Sequence, residues 1–123
     1  MKSVGIIVAL PVECRSLGVR LRHKGDVAPL SPSAQVILSG AGPDNARRAA
    51  ETVLEQGATA LLSWGCCAAL QADLHAGDLV LPAALWAEGS IYATDPTWRE
   101  HWLNTLTPAL NPRGGILAQS SSI

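Results

Sequence analysis

Val4-Gly-Ile-Ile-Val-Ala-Leu10 is an unbroken apolar run, rich in β-branched residues, and it ends at Pro11-Val-Glu13. A strand that alternates faces toward solvent would alternate in polarity. This one does not, so it reads as a strand buried on both faces of a sheet. Pro11 fits the first turn of a following helix, and Glu13 suits the positive end of that helix. The helix is expected to reach about His23, with Leu17 and Leu21 one turn apart on one face.

The pattern repeats downstream. His23 to Ser33 carries Gly25, Pro29 and Pro32 and reads as a loop, with room for a short strand near Val27. Gln35-Val-Ile-Leu38 is the next strand and ends in Ser39-Gly-Ala-Gly42. Pro43 and Asp44 open a helix over Asn45 to Gln56, with Ala46, Ala49, Ala50, Val53 and Leu54 as its apolar stripe and Gly57 as its stop. Ala58 to Trp64 is a third apolar strand running into Gly65-Cys-Cys-Ala-Ala-Leu70. Gly77-Asp-Leu-Val-Leu-Pro82 is read as a fourth strand, ending near Trp86. Pro96 and Thr97 open a short helix with Trp98, Trp102 and Leu106, and Ile116 to Ile123 begins a fifth strand. Apolar strands alternating with helices imply an α/β fold around a mainly parallel sheet.

Composition narrows the class. The chain has 123 residues, 48% hydrophobic and 15% charged, with a formal net charge of -1. That length suits a single domain with a real core. Near-neutrality argues against a nucleic-acid binder or a polybasic membrane-surface protein. There is no apolar run of about 18 residues to span a membrane, and the start is too short and weakly charged for a signal peptide. The cysteines are Cys14, Cys66 and Cys67. An odd count with an adjacent pair argues against a disulfide framework and fits a reducing, cytoplasmic setting. His23, His75 and His101 have no ligand spacing, so no metal site and no cofactor are expected.

In an open α/β sheet, ligands bind outside the carboxyl ends of the strands. Here those ends deliver Glu13, Ser39-Gly-Ala-Gly42 and Gly65-Cys66-Cys67-Ala68. Small residues there let a ligand approach the backbone and its N–H groups. Each feature also has a plainer reading. Gly40 and Gly42 suit a tight strand-to-helix turn, and Glu13 suits an ordinary first-turn carboxylate. Asp78 suits a turn, and Trp98 with Trp102 suits core packing or an interface. The glycine spacing does not make a dinucleotide fingerprint, which would need Gly at Asn45.

Taken together, Val4-Gly-Ile-Ile-Val-Ala-Leu-Pro-Val-Glu13, Leu38-Ser-Gly-Ala-Gly-Pro43, Leu62-Ser-Trp-Gly-Cys-Cys-Ala-Ala-Leu70 and Gly77-Asp-Leu-Val-Leu-Pro82 resemble the purine-nucleoside phosphorylase and uridine phosphorylase superfamily. The resemblance is nearest to methylthioadenosine/adenosylhomocysteine nucleosidase and to hopanoid-associated phosphorylases, the latter also through Tyr92-Ala-Thr-Asp-Pro-Thr-Trp98. It implies a three-layer α/β/α sandwich around a mixed sheet, and cleavage of the N-glycosidic bond of a purine nucleoside by water or phosphate.

Residue by residue, the resemblance gives Glu13 the role of holding and activating the nucleophilic water. Cys66 falls where the nucleosidases carry a serine that touches substrate and water. Ala9, Ala41, Gly42, Gly65, Cys67 and Ala68 match positions lining the nucleoside pocket. Ser63 stands where some phosphorylases carry an arginine, which favours hydrolysis, and Arg47 and Arg48 lie too far along their helix to replace it. Asp78 matches a structural Gly-Asp pair.

By the same resemblance, residues 1–123 are the N-terminal portion of one family domain. The residues that grip the ribose hydroxyls and protonate the departing purine belong to its other half. Asp73, Asp95 and Glu100 have no motif context to substitute for them. These residues alone are therefore not expected to catalyse, and a homo-oligomer or a complementary chain is the expected partner. A non-catalytic nucleoside-binding or assembly module is the alternative, and an unrelated dinucleotide-type domain is a third.

Overall fold

Residues 3–106 and 108–119 are described in the computed structural model, which divides into two units, Met1–Ala68 and Ala69–Ile123. In the first unit the order is β1 (Val4–Val8), α1 (Pro11–Ser16), β2 (Val27–Ser31), β3 (Ala34–Leu38), α2 (Pro43–Glu55) and β4 (Ala60–Trp64). The sheet runs β2-β3-β1-β4. β1 lies between β3 and β4 and is parallel to both, with Val8 opposite Leu38 on one side and Trp64 on the other. β2 pairs antiparallel with β3 at the edge. An edge position tolerates Pro29, which has no N–H to donate, and the register shifts between Pro29 and Ser31.

Both faces of this sheet are covered, as the apolar strand sequences require. On one face Ile6, Val8, Val36 and Leu38 pack with Cys14 and Leu21. On the other, Ile37 packs with Ala49 and Val53 of α2. Gly5 lets α2 come this close. A Cβ there would sit 2.5 Å from Val53 Cγ2. The α/β class expected from the sequence is therefore what forms, with a mixed, mainly parallel sheet in this unit.

The first helix is shorter than the sequence predicts. It stops at Ser16, and Gly18 takes a φ of 80°. Leu17 and Val19 N–H both turn back to the Cys14 carbonyl, which closes the helix. Leu21 is still buried, but from the loop rather than from a helical face. The one-turn spacing of Leu17 and Leu21 suggested a longer helix, and the intervening glycine overrides it.

The second unit contains β5 (Ala84–Ala87), β6 (Ser90–Ala93), α3 (Pro96–Thr105), a 3₁₀ turn (Pro108–Leu110) and β7 (Ile116–Ala118). Its sheet order is β6-β5-β7, with β5 antiparallel to β6 and parallel to β7. The strand expected over Gly77 to Pro82 does not form there. That segment makes one isolated bridge, Val80 to Arg113, and the strand proper begins at Ala84. Asp78 explains part of the shift, since its carboxylate accepts the His75 N–H at 2.8 Å and makes a turn. The expected fifth strand is β7 as far as Ala118, and residues 120–123 of that expectation lie outside the described residues. Among the described residues, no helix is long and apolar enough to cross a membrane.

Candidate functional site

Because Val8 is level with both Leu38 and Trp64, the carboxyl ends of β1, β3 and β4 finish side by side. Each then leaves the sheet through small or polar residues. β1 turns within two residues into α1, and the first turn of α1 brings Glu13 inward, 9% exposed. The Glu13 carboxylate is held at both oxygens. Oε1 accepts the Leu10 N–H at 3.1 Å, and Oε2 accepts the Cys66 N–H at 2.6 Å. A carboxylate offers about four acceptor positions, so two remain for an O–H donor such as water.

Gly65 makes the Cys66 contact possible. A Cβ at that position would lie 2.7 Å from Glu13 Oε2. Glu13 therefore forms one contact set with Gly65 and Cys66, which lie more than fifty positions downstream in sequence. A second tie joins the same two segments. The Trp64 indole N–H donates to Ser16 Oγ at 2.8 Å, and the Ser16 hydroxyl donates to the Glu13 carbonyl at 2.6 Å. Neither Ser16 nor Trp64 is among the site residues expected from the sequence. The one available cue is that a Trp at a strand end needs a partner for its N–H.

The corner after β3 is built differently. The Ser39 N–H and hydroxyl both donate to the Val8 carbonyl, at 2.8 and 3.2 Å, which ties this corner to the end of β1. Gly42, at a φ of 94°, is the residue from which α2 starts, and Pro43 follows in the first turn. The Asn45 amide donates to the Ala41 carbonyl at 2.7 Å, and its oxygen accepts Lys24 Nζ at 3.0 Å. Ala41 and Gly42 are exposed and Ala9 is half-buried. Cys67 and Ala68 are exposed on the loop after Cys66. These five occupy the strand ends without touching Glu13 through any hydrogen bond.

The three cysteines are free. Cys14 is fully buried on the inner side of α1, and burial first and the neighbouring Glu13 charge second push its thiol above the ordinary value of 9.0. Cys66 and Cys67 are exposed. Asp73 and Asp95 have other duties. Asp73 pairs with Arg113, and that hydrogen bond lowers its carboxyl from the ordinary 3.8. Asp95 caps α3 by accepting the Trp98 N–H at 2.9 Å. Trp98 and Trp102 are half-buried on α3. Among the described residues no three His, Cys, Asp or Glu side chains gather as metal ligands would.

A family model described as the phosphorylase superfamily matches residues 31–111, about two-thirds of the chain. The chain belongs to the phosphorylase superfamily. No curated protein matches it. For this phosphorylase superfamily member, the match takes in the corners after β3 and β4 and starts beyond Glu13. The hydrogen bond from Cys66 N–H joins the Glu13 carboxylate to the matched region, and the Trp64–Ser16 bond joins its backbone to the same region. Membership supports a function of the nucleoside phosphorylase or nucleosidase kind and a small-molecule nucleoside as substrate.

Proposed function

We propose that this phosphorylase superfamily member binds an adenosine-type purine nucleoside at the ends of β1, β3 and β4, and takes part in hydrolysis of its N-glycosidic bond. The observation that carries the reading is the Glu13 carboxylate, nearly buried and fixed by two backbone N–H groups with acceptor positions to spare. In the proposed step a water donates a hydrogen bond to Glu13. Its oxygen attacks the anomeric carbon as the bond to the purine nitrogen breaks, and its proton passes to the carboxylate. The bonding electrons leave with the purine, and the sugar carries oxocarbenium character in between. Ala9, Ala41, Gly42, Gly65, Cys67 and Ala68 are proposed as pocket walls whose lack of bulk admits the nucleoside. Cys66 is proposed beside the water.

Water is favoured over phosphate because Ser63, rather than a cation, stands in β4 two residues before Gly65. Residues 1–123 are taken as the N-terminal portion of a nucleoside phosphorylase-like domain. The groups that grip the ribose and protonate the purine would come from a complementary segment or chain, within a homo-oligomer or a hetero-complex. Free thiols at Cys66 and Cys67 suit the cytoplasm.

One feature favours a second reading, in which the chain binds nucleoside and does not cleave it. A thiol is a weaker hydrogen-bond donor than the hydroxyl the resemblance places at Cys66, so water would be less well oriented. Calorimetry with methylthioadenosine, paired with chromatographic detection of adenine, separates the two. Saturable binding with adenine release that falls about 10²–10⁴-fold in Glu13→Gln supports cleavage. Saturable binding with still no release once a family C-terminal half is added to supply the ribose-gripping and purine-protonating groups supports the binding module, and no binding removes both.

A further inference from the structure

We infer that Trp64 and Ser16 are positioning residues that hold the Glu13 carboxylate against the end of β4. The role of Glu13 rests on the reading above; the tie itself rests on geometry. α1 has only six residues, well below the length at which a helix keeps its own shape in water. Its orientation must come from what it touches. On its inner side Cys14 enters the core cluster, and the Trp64 ring packs against the same cluster. Beyond the ring, the indole N–H reaches the Ser16 hydroxyl, and that hydroxyl reaches the Glu13 carbonyl.

The directions of these bonds are fixed by chemistry. An indole N–H can only donate, and a serine hydroxyl has one proton. With the proton spent on the Glu13 carbonyl, Ser16 must accept from Trp64. Two residues after Trp64, the Cys66 N–H takes hold of the Glu13 side chain. Glu13 is thus tied to the end of β4 twice, by its backbone through Ser16 and Trp64 and by its carboxylate through Cys66. The two ties close a ring that fixes both position and rotation of the side chain. A displacement of about 1 Å at such a group is enough to cost on the order of 10²-fold in rate.

The test is NMR of the ¹⁵N-labelled chain, following the Cys66 amide proton. Glu13→Gln should move this proton upfield. Trp64→Phe keeps the ring and removes the N–H, and exposed Ser16→Ala removes the hydroxyl. Each should shift the Cys66 amide in the same direction as Glu13→Gln and by at least half as much. The double variant should match either single one, and Ser16→Thr should restore the wild-type position.

A purely structural role would lower the urea midpoint and leave the native Cys66 amide in place, and that result overturns the inference. So does a Cys66 amide that Glu13→Gln fails to move. Normal tie behaviour in a chain that neither binds nor cleaves nucleosides would instead overturn the reading of Glu13 as the water-holding base.

Discussion

Gly65 and Gly5 both lack side chains for want of room, but their crowding neighbours differ in what they can do. At Gly65 the neighbour is the tip of Glu13, which can swing away. At Gly5 it is Val53 of α2, 2% exposed and packed against the sheet. Gly65→Ala should therefore release the carboxylate from Cys66 and cost only about 1 kcal/mol, one net hydrogen bond. Gly5→Ala should cost about 3 kcal/mol through overpacking, with partial recovery when combined with Val53→Ala. Urea unfolding gives the stabilities, and methylthioadenosine binding and adenine release give the function. Gly65→Ala should damage function more than stability, and Gly5→Ala the reverse. Equal stability losses, or an undisturbed site in Gly65→Ala, would refute the assignment. The place of Glu13 in the first turn of α1 is legible in sequence because Pro11 and a preceding apolar strand mark it. The Ser16–Trp64 bond is not, since it joins residues 48 positions apart that no periodicity connects.

At the scale of elements, legibility followed burial. β1, β3, β4 and α2 lie within one or two residues of where apolar runs and the Ala/Val stripe put them, because each is packed against something. The β5–β6 hairpin carries no plain signal in the sequence. Ala87 pairs with Ser90 across a two-residue turn, and both turn residues, Glu88 and Gly89, have positive φ, 50° and 79°. That is the geometry of a type I′ turn, whose usual signal is Asn-Gly or Asp-Gly, so Glu-Gly hides it. Glu88 is a poor occupant of that conformation, and Asn adopts it more readily. Glu88→Asn should stabilise the hairpin by about 1 kcal/mol. Amide exchange at Leu85 and Tyr92, which face each other across the pair, should slow about fivefold. Unchanged or faster exchange would mean the turn is not limiting.

For the molecule as a whole, the apolar 48% is unevenly used. Every buried apolar residue among those described, from Ile6 to Val53, belongs to the first unit. In the second unit, Trp86, Ile91, Tyr92 and Ile116 stay exposed, from 43% to 65%. The sequence could not reveal this difference, since Ala84-Leu-Trp-Ala87 is as apolar as the strands of the first unit. Composition records what could be buried, and topology decides what is. β1 is bonded along both edges and covered on both faces, so its opening requires unfolding of the first unit. The β6-β5-β7 sheet contains no buried residue and can open with little loss of packing. Local opening free energies therefore should differ by several kcal/mol. Native-state hydrogen exchange should show amides of Ile6, Val8 and Val36 protected at least ~100-fold more than those of Leu85, Ile91 and Leu117. Uniform protection across both units would show that they open together, and the exposed apolar strands of the second would then need a covering surface.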